Sequence, residues 1–295
     1  MALVKIHVLY GHLEGRAGFA RDPTGFLALE AGIFREHGLD VSWEHVQGTE
    51  ERQRRLENGS ADISLVVGRA ALQHYLKSQT TRLLGSSMNS CPYYLVAQPG
   101  IGEVRGLRGC ALACRESVGR GAPLERLLRE RGGGGEIAVD FVAGDQHAFD
   151  ALVGGAAAGA LLPRPYALVA EERGFRRVSE WPDAVDDPLP VTLETTARLA
   201  GARYDDYRLY LAAHRAAIRY AKQDRAATVA MLGRRFGHSA WLAGKIYGEY
   251  LVWLDDRLTV VFGKLEALAA QVCPEFPGGA RRLAAEWIAP GAVRE

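Results

Sequence analysis

The chain has 295 residues, 48% hydrophobic and 24% charged, which excludes a disordered or fibrous polymer and suffices for one large domain or two modest ones. Lys plus Arg number 36 and Asp plus Glu 35, so the net charge is +1, without the basic excess of a nucleic-acid binder. No run approaches the ~20 apolar residues that cross a bilayer. Of the basic residues 31 are Arg and 5 are Lys, a bias that fits a GC-rich genome and also fits anion recognition by planar guanidinium groups.

Met1 to Tyr10 is too short and too mixed for a signal peptide and reads as a strand from Val4 to Leu9. The expected compartment is cytoplasmic if Met1 is the native start, and periplasmic or lipid-anchored if a leader was removed. The spacing of Cys91, Cys110, Cys114 and Cys273 matches no zinc module, so four free thiols are expected. Phe26, Leu29 and Ile33 recur at helical spacing, with Thr24 as the cap and Gly38 as the stop. Val41 to Val46 reads as a strand and Thr49 to Glu57 as a helix, with acids in its first turn and arginines in its last. Ile63 to Val67 is a buried strand, Ala70 to Lys77 a helix, and Leu83-Leu84 starts a further short strand. Alternation at this spacing implies parallel pairing through right-handed crossovers.

A second cycle begins near Pro92. Tyr93 to Ala97, Cys110 to Cys114, Ile137 to Val142 and Ala160 to Leu162 read as strands. Pro123 to Arg131, Gln146 to Val153 and Pro163 to Arg173 read as helices, and Gly132 to Gly135 as a loop. After Pro190 the pattern turns helical: Tyr204 to Gln223, Arg225 to Phe236, Ser239 to Trp253, Lys264 to Val272 and Ala280 to Trp287.

Gly25-Phe-Leu-Ala-Leu-Glu-Ala-Gly-Ile-Phe-Arg-Glu-His-Gly-Leu-Asp-Val41 resembles a signature of type II periplasmic solute-binding proteins. The subgroup is the nitrate/sulfonate/taurine and thiamine-pyrimidine-precursor type. Gln47-Gly48-Thr49 sits where that family has its second ligand loop, and Leu56-Glu-Asn-Gly-Ser-Ala-Asp-Ile63 resembles its approach to the third strand. Leu107-Arg-Gly-Cys-Ala-Leu-Ala113, Ala151-Leu-Val-Gly-Gly-Ala-Ala-Ala-Gly-Ala160 and the helix through Arg208 to Arg219 continue the series. The expected departures from the family are a start at Met1 without the leader typical of exported members, which leaves export open, and glycine where an acid usually precedes the strand at Ala160.

The resemblance implies an α/β, two-lobed fold, each lobe a mostly parallel sheet flanked by helices, with an all-helical C-terminal third. One lobe would be 1–92 plus 190–295 and the other 93–189, with crossovers near 91–93 and 188–190. Prolines suit such crossings because they stiffen extended segments. Ligand would lie between the lobes, at strand ends and helix N-termini. The candidate ligand residues are therefore Tyr10 and His12; Thr24 and Gly25; Gly48 and Thr49; Gly68 and Arg69; Arg115, Ser117 and Arg120; Gly144, with Asp145 beside it; and Arg164 and Tyr166. His147 reads as surface or groove lining. Tyr10, Tyr93 and Tyr166 are the rings placed to stack on a flat ligand.

The implied function is binding of an oxyanion-bearing small molecule, such as a sulfonate, carboxylate or nitrate, for delivery to an ABC permease. Neither cofactor, metal, nucleic acid nor membrane insertion is expected. The alternative is a cytoplasmic enzyme on the same fold acting on a carboxylated or aromatic small molecule. The sequence has no nucleophile elbow, His-Glu-x-x-His or Cys-x-x-Cys to support it. Gly11-His12 stands where a desulfinase relative would need cysteine, and the cysteine-rich motif of iron-using pyrimidine synthases is missing.

Overall fold

A computed structural model describes residues 2–13, 19–116, 128–130, 137–186, 188–276 and 278–292. Ser117, Arg120, the glycine run Gly132 to Gly135 and most of the expected helix Pro123 to Arg131 lie outside the described residues.

In chain order, β1 (Val4–Tyr10) is followed by a two-stranded ribbon, β2 (His12–Leu13) and β3 (Phe19–Ala20). The expected first helix is two short ones, α1 (Thr24–Glu30) and α2 (Ile33–Glu36), broken at Ala31-Gly32. Thr24 does not cap α1 with its side chain. Its N–H and hydroxyl both donate to Asp22 Oδ1, at 3.0 and 2.6 Å, so the carboxylate two residues earlier takes that role. Next come β4 (Leu39–His45), α3 (Thr49–Glu57), β5 (Ile63–Val66), α4 (Gly68–Ser78) and β6 (Thr81–Met88). The second cycle holds β7 (Pro92–Ala97), β8 (Ala111–Arg115), β9 (Ala138–Val142), α5 (Asp145–Val153), β10 (Gly159–Pro163), α6 (Arg164–Glu172) and β11 (Arg176–Asp186).

After β12 (Val191–Thr196) the chain is helical: α7 (Ala197–Ala202), α8 (Tyr204–Gln223), α9 (Arg225–Phe236), α10 (Ala240–Lys245), α11 (Phe262–Val272) and α12 (Gly279–Trp287). The single helix expected through Trp253 instead loosens and then tightens after α10, with a π turn at Ile246–Tyr250 and a 3₁₀ turn at Leu251–Trp253. None of the described helices is long and apolar enough to cross a membrane.

The strands form two five-stranded sheets, ordered β4-β1-β5-β12-β6 and β11-β7-β10-β8-β9. Both are mixed. Pairs built by strand–helix–strand units are parallel, namely β1 with β4 and β5, and β8 with β9 and β10. Strands that enter from the other half run antiparallel: β12 against β5 and β6, and β7 against β10 and β11. The first sheet takes its strands from residues 4–88 and 191–196, the second from 92–186.

The largest apolar cluster runs through both halves, from Phe34 and Tyr210 to Phe149, Tyr166 and Leu168. The C-terminal helices also clasp the second half. Arg177 on β11 pairs with Glu171 of α6 and with Glu249 of the π turn, the latter at 2.9 Å, and its guanidinium lies 4.5 Å from the Tyr94 ring centre. Cys91 and Cys114 are buried, and none of the four cysteines is in a disulfide. Burial pushes the Cys114 thiol up to about 12, so it stays protonated.

One packing position is testable. Gly25 opens α1 against the Trp43 ring, and a Cβ built there would overlap that ring. Gly25→Val should therefore lower stability by about 1–3 kcal/mol through overpacking, read by urea unfolding. A variant as stable as the parent would show that α1 does not depend on this close approach.

Candidate functional site

A cleft of about 530 Å³ lies between the two sheets. Strand C-termini and helix N-termini line it because parallel units place those ends on one edge. From the first half come Tyr10 and Gly11 after β1, Arg21-Asp22 before α1, Gly48-Thr49 opening α3, and the end of β5. From the second come Arg115 at the end of β8, Gly144 to His147 at the start of α5, and Tyr166 of α6. Pro190 and Val191, where the chain returns to the first sheet, close the floor.

The electrostatics are set by three arginines and two aspartates. Arg52 is fixed by its own half: it donates to the Val46 carbonyl at 2.8 Å and to Thr49 Oγ1 at 3.1 Å, which ties the β4–α3 loop to the helix. Gly48, with φ of 79°, makes the turn into α3 in a region that L side chains avoid. Arg115 lies 5.8 Å from the Tyr93 ring centre and 3.4 Å from Asp145. Arg21, from the opposite half, lies 3.6 Å from the same carboxylate, and the Tyr93 hydroxyl donates to it at 3.1 Å.

Asp22 is buried in the wall and meets His214 of α8 at 2.8 Å. Burial raises its carboxyl, but His214, Thr24 and Ser87 outweigh that and hold it below the usual range. His214 also meets the Tyr210 hydroxyl at 3.2 Å and stacks on Trp43, so an aromatic block backs the cleft. Tyr10 belongs to that block, with Phe26 edge-on at 5.1 Å. Burial, opposed by Arg235, raises its hydroxyl, which remains a neutral donor. Tyr166 donates to Gln146 Oε1 at 3.1 Å, joining α6 to α5 at the cleft rim.

Of the residues anticipated from the sequence, Tyr10, Gly48, Thr49, Arg115, Gly144 and Tyr166 line this cleft, as do Asp145 and His147. Others do not. Thr24 is turned onto Asp22, and Gly25 serves packing against Trp43. The Gly68 N–H donates to the Leu189 carbonyl at 2.9 Å, binding α4 to the returning chain. Arg69 points to Gln271 of α11, at 2.6 Å. Arg164 turns to the clasp, between Tyr94 at 4.8 Å and Trp253 at 5.7 Å, and donates to the Glu249 carbonyl. His12 lies on the ribbon strand β2, and Ser117 and Arg120 are outside the described residues. Arg21, Asp22, Arg52 and Gln146 escaped the sequence reading. Asp22-Pro23 immediately before a helix was a legible signal for the first pair, and Arg52 lies one turn beyond the Gly48-Thr49 loop.

The sheet order, with strands returning antiparallel from the other half, decides the architecture. The chain has the type II periplasmic-binding-protein fold. Solved structures of this fold superpose along most of the chain. The alkanesulfonate-binding protein SsuA from Xanthomonas axonopodis pv. citri, bound to MOPS, matches with a TM-score of 0.65 at 14% identity over 100% of both chains. The periplasmic aliphatic sulphonate binding protein SsuA of Escherichia coli gives 0.63 at 17% identity, covering 98% of this chain and 95% of that one. The periplasmic nitrate-binding protein NrtA of Synechocystis PCC 6803 gives 0.59 at 12% identity, covering 83% of this chain and 70% of that one. No protein-family model and no curated protein matches the sequence.

Proposed function

We propose that this protein is the solute-binding component of an ABC-type import system and takes an oxyanion-bearing small molecule into the cleft. The observation that carries this is the cleft's composition. Arg115 and Arg21 approach from opposite halves, and α3 and α5 both open onto it with no side-chain cap. A nine-residue helix entered through Gly48 or Gly144 presents N–H groups and the positive end of its dipole to an anion. The arginines add charge-assisted donors. The solved structures of the same fold that bind sulfonate or nitrate support the same reading.

The working division is a first lobe of 1–92 plus 190–295 and a second of 93–189, with crossings near 91–93 and 188–190. The origin of the two sheets supports it. Closure of these lobes would complete the ligand's contacts and present a surface to a permease. Tyr10 and Tyr166 supply walls for the organic part of the ligand.

Calorimetry with ethanesulfonate, nitrate and short carboxylates, with a neutral sugar as control, tests the reading. A selected anion should bind, and Arg115→Ala should weaken it about 10- to 100-fold through loss of a charge-assisted contact. Lysine at 115 should restore only part of that if the contact is bidentate. Binding of the neutral sugar alone, or full affinity in a folded Arg115→Ala, would sink the oxyanion reading.

A further inference from the structure

Asp145 is the one acid of the second half that lines the cleft, among the described residues. It opens α5, and its side chain is only 5% exposed. It faces cations from both halves: Arg115 on its own side at 3.4 Å and Arg21 across the cleft at 3.6 Å. Both separations exceed the 2.7–2.9 Å usual for a charge-assisted hydrogen bond. The carboxylate is therefore held by field and by the Tyr93 hydroxyl, not by a bidentate fork. It occupies the place, between two guanidinium groups and beside a helix N-terminus, where an entering oxyanion would gain most.

We propose that Asp145 is the cleft's own counter-anion, a displaceable latch that bridges the two halves and that an incoming oxyanion must displace from Arg21 and Arg115. This rests on the oxyanion reading above for its ligand, and on the Arg21–Asp145 bridge alone for its conformational part. The consequences are two. The latch biases the ligand-free protein toward a closed cleft, because it joins residues of opposite halves. It also sets a threshold for ligand charge, since Asp145 repels any anion that fails to take over both arginines. A neutral ligand gains nothing from displacing it.

Asp145→Asn tests this with little change in shape, because the amide oxygen still accepts from Tyr93. Arg21→Gln breaks the same bridge from the other side. Both variants are first shown to unfold cooperatively by circular dichroism. Small-angle scattering should then give a larger radius of gyration for each ligand-free variant than for the parent. Calorimetry with ethanesulfonate and nitrate should show Asp145→Asn binding about tenfold tighter than the parent. Arg21→Gln should not tighten, because it also removes a ligand cation. An unchanged radius of gyration in both variants overturns the latch. Asp145→Asn affinity that is equal or weaker overturns the displacement, and a weaker value would make Asp145 a direct ligand contact. If neither anion binds the parent, the oxyanion reading fails, and the scattering comparison decides the latch alone.

Discussion

Glu194→Gln is expected to stabilise the protein in alkaline solution and to flatten its stability between pH 5 and 8. Glu194 sits in β12, an interior strand of the first sheet between β5 and β6, and is fully buried. Neither of its carboxylate oxygens has hydrogen-bond geometry to a described group, although Gln53 and Arg52 of α3 lie near. Burial pushes its carboxyl from 4.5 up to about 8, with Arg52 and Gln53 opposing and Glu57 adding to the rise. A carboxyl raised in the folded state binds its proton more tightly there than in the unfolded chain. Stability therefore falls as pH rises through that window, by about 1.4 kcal/mol per unit, and by up to about 5 kcal/mol in full. Glutamine keeps the shape and removes the ionisation. Urea unfolding at several pH values from 5 to 9 gives the answer. Parallel stability curves for parent and variant would mean that Glu194 titrates as an exposed acid and that the sheet interior is hydrated.

Asp22→Asn should act in the opposite direction and cost about 1–3 kcal/mol near neutral pH, since it takes a charged acceptor from the buried donors of Thr24 and from the His214 ring. Asp22 holds the segment before α1 onto His214 of α8 and receives both donors of Thr24. Its depressed carboxyl contributes stability that is present above the ordinary carboxylate range and lost as pH falls through the folded value. The parent should therefore lose stability in acid more steeply than Asp22→Asn. Thermal unfolding at pH 7 and pH 4 checks both parts. A neutral-pH cost below ~1 kcal/mol would mean that the pair merely fills space. Because Asp22 also walls the cleft, the same variant should loosen the Arg21 segment and weaken anion binding.

Helices α3, α8 and α9 were legible to the residue because the information is local. Their period, the acids in the first turns of α3 and α8, the Asp224 cap of α9 and the closing residues lie within the helix or one turn of it. The first strands, whose apolar runs are bounded by glycine, were legible to within two residues. β11, β12 and most of β6 were not. Val191-Thr-Leu-Glu-Thr-Thr196 carries four β-branched residues but also a glutamate, and its place as an interior strand comes from β5 and β6 pairing with it from both sides. Its Glu194 shows what tertiary context does, since a charged residue type lies buried in a sheet.

The site divides in the same way. That strand ends and helix starts would meet was readable, and Tyr10, Thr49, Arg115 and Gly144 follow from it. Which way a side chain turns at such an end was not. Arg115 and Arg164 both stand where a strand of the second sheet ends, yet one reaches the cleft and the other packs between Tyr94 and Trp253. The sequence by itself determined the order of units, the helical C-terminal region and the edge on which the cleft lies, because these follow from periodicity and chain direction. Only the tertiary structure decided that Arg21 and Asp145 face each other, since they belong to different halves and no local pattern relates them. A long-range ion pair depends on how two units dock, and docking is settled by the packing of side chains far from either residue.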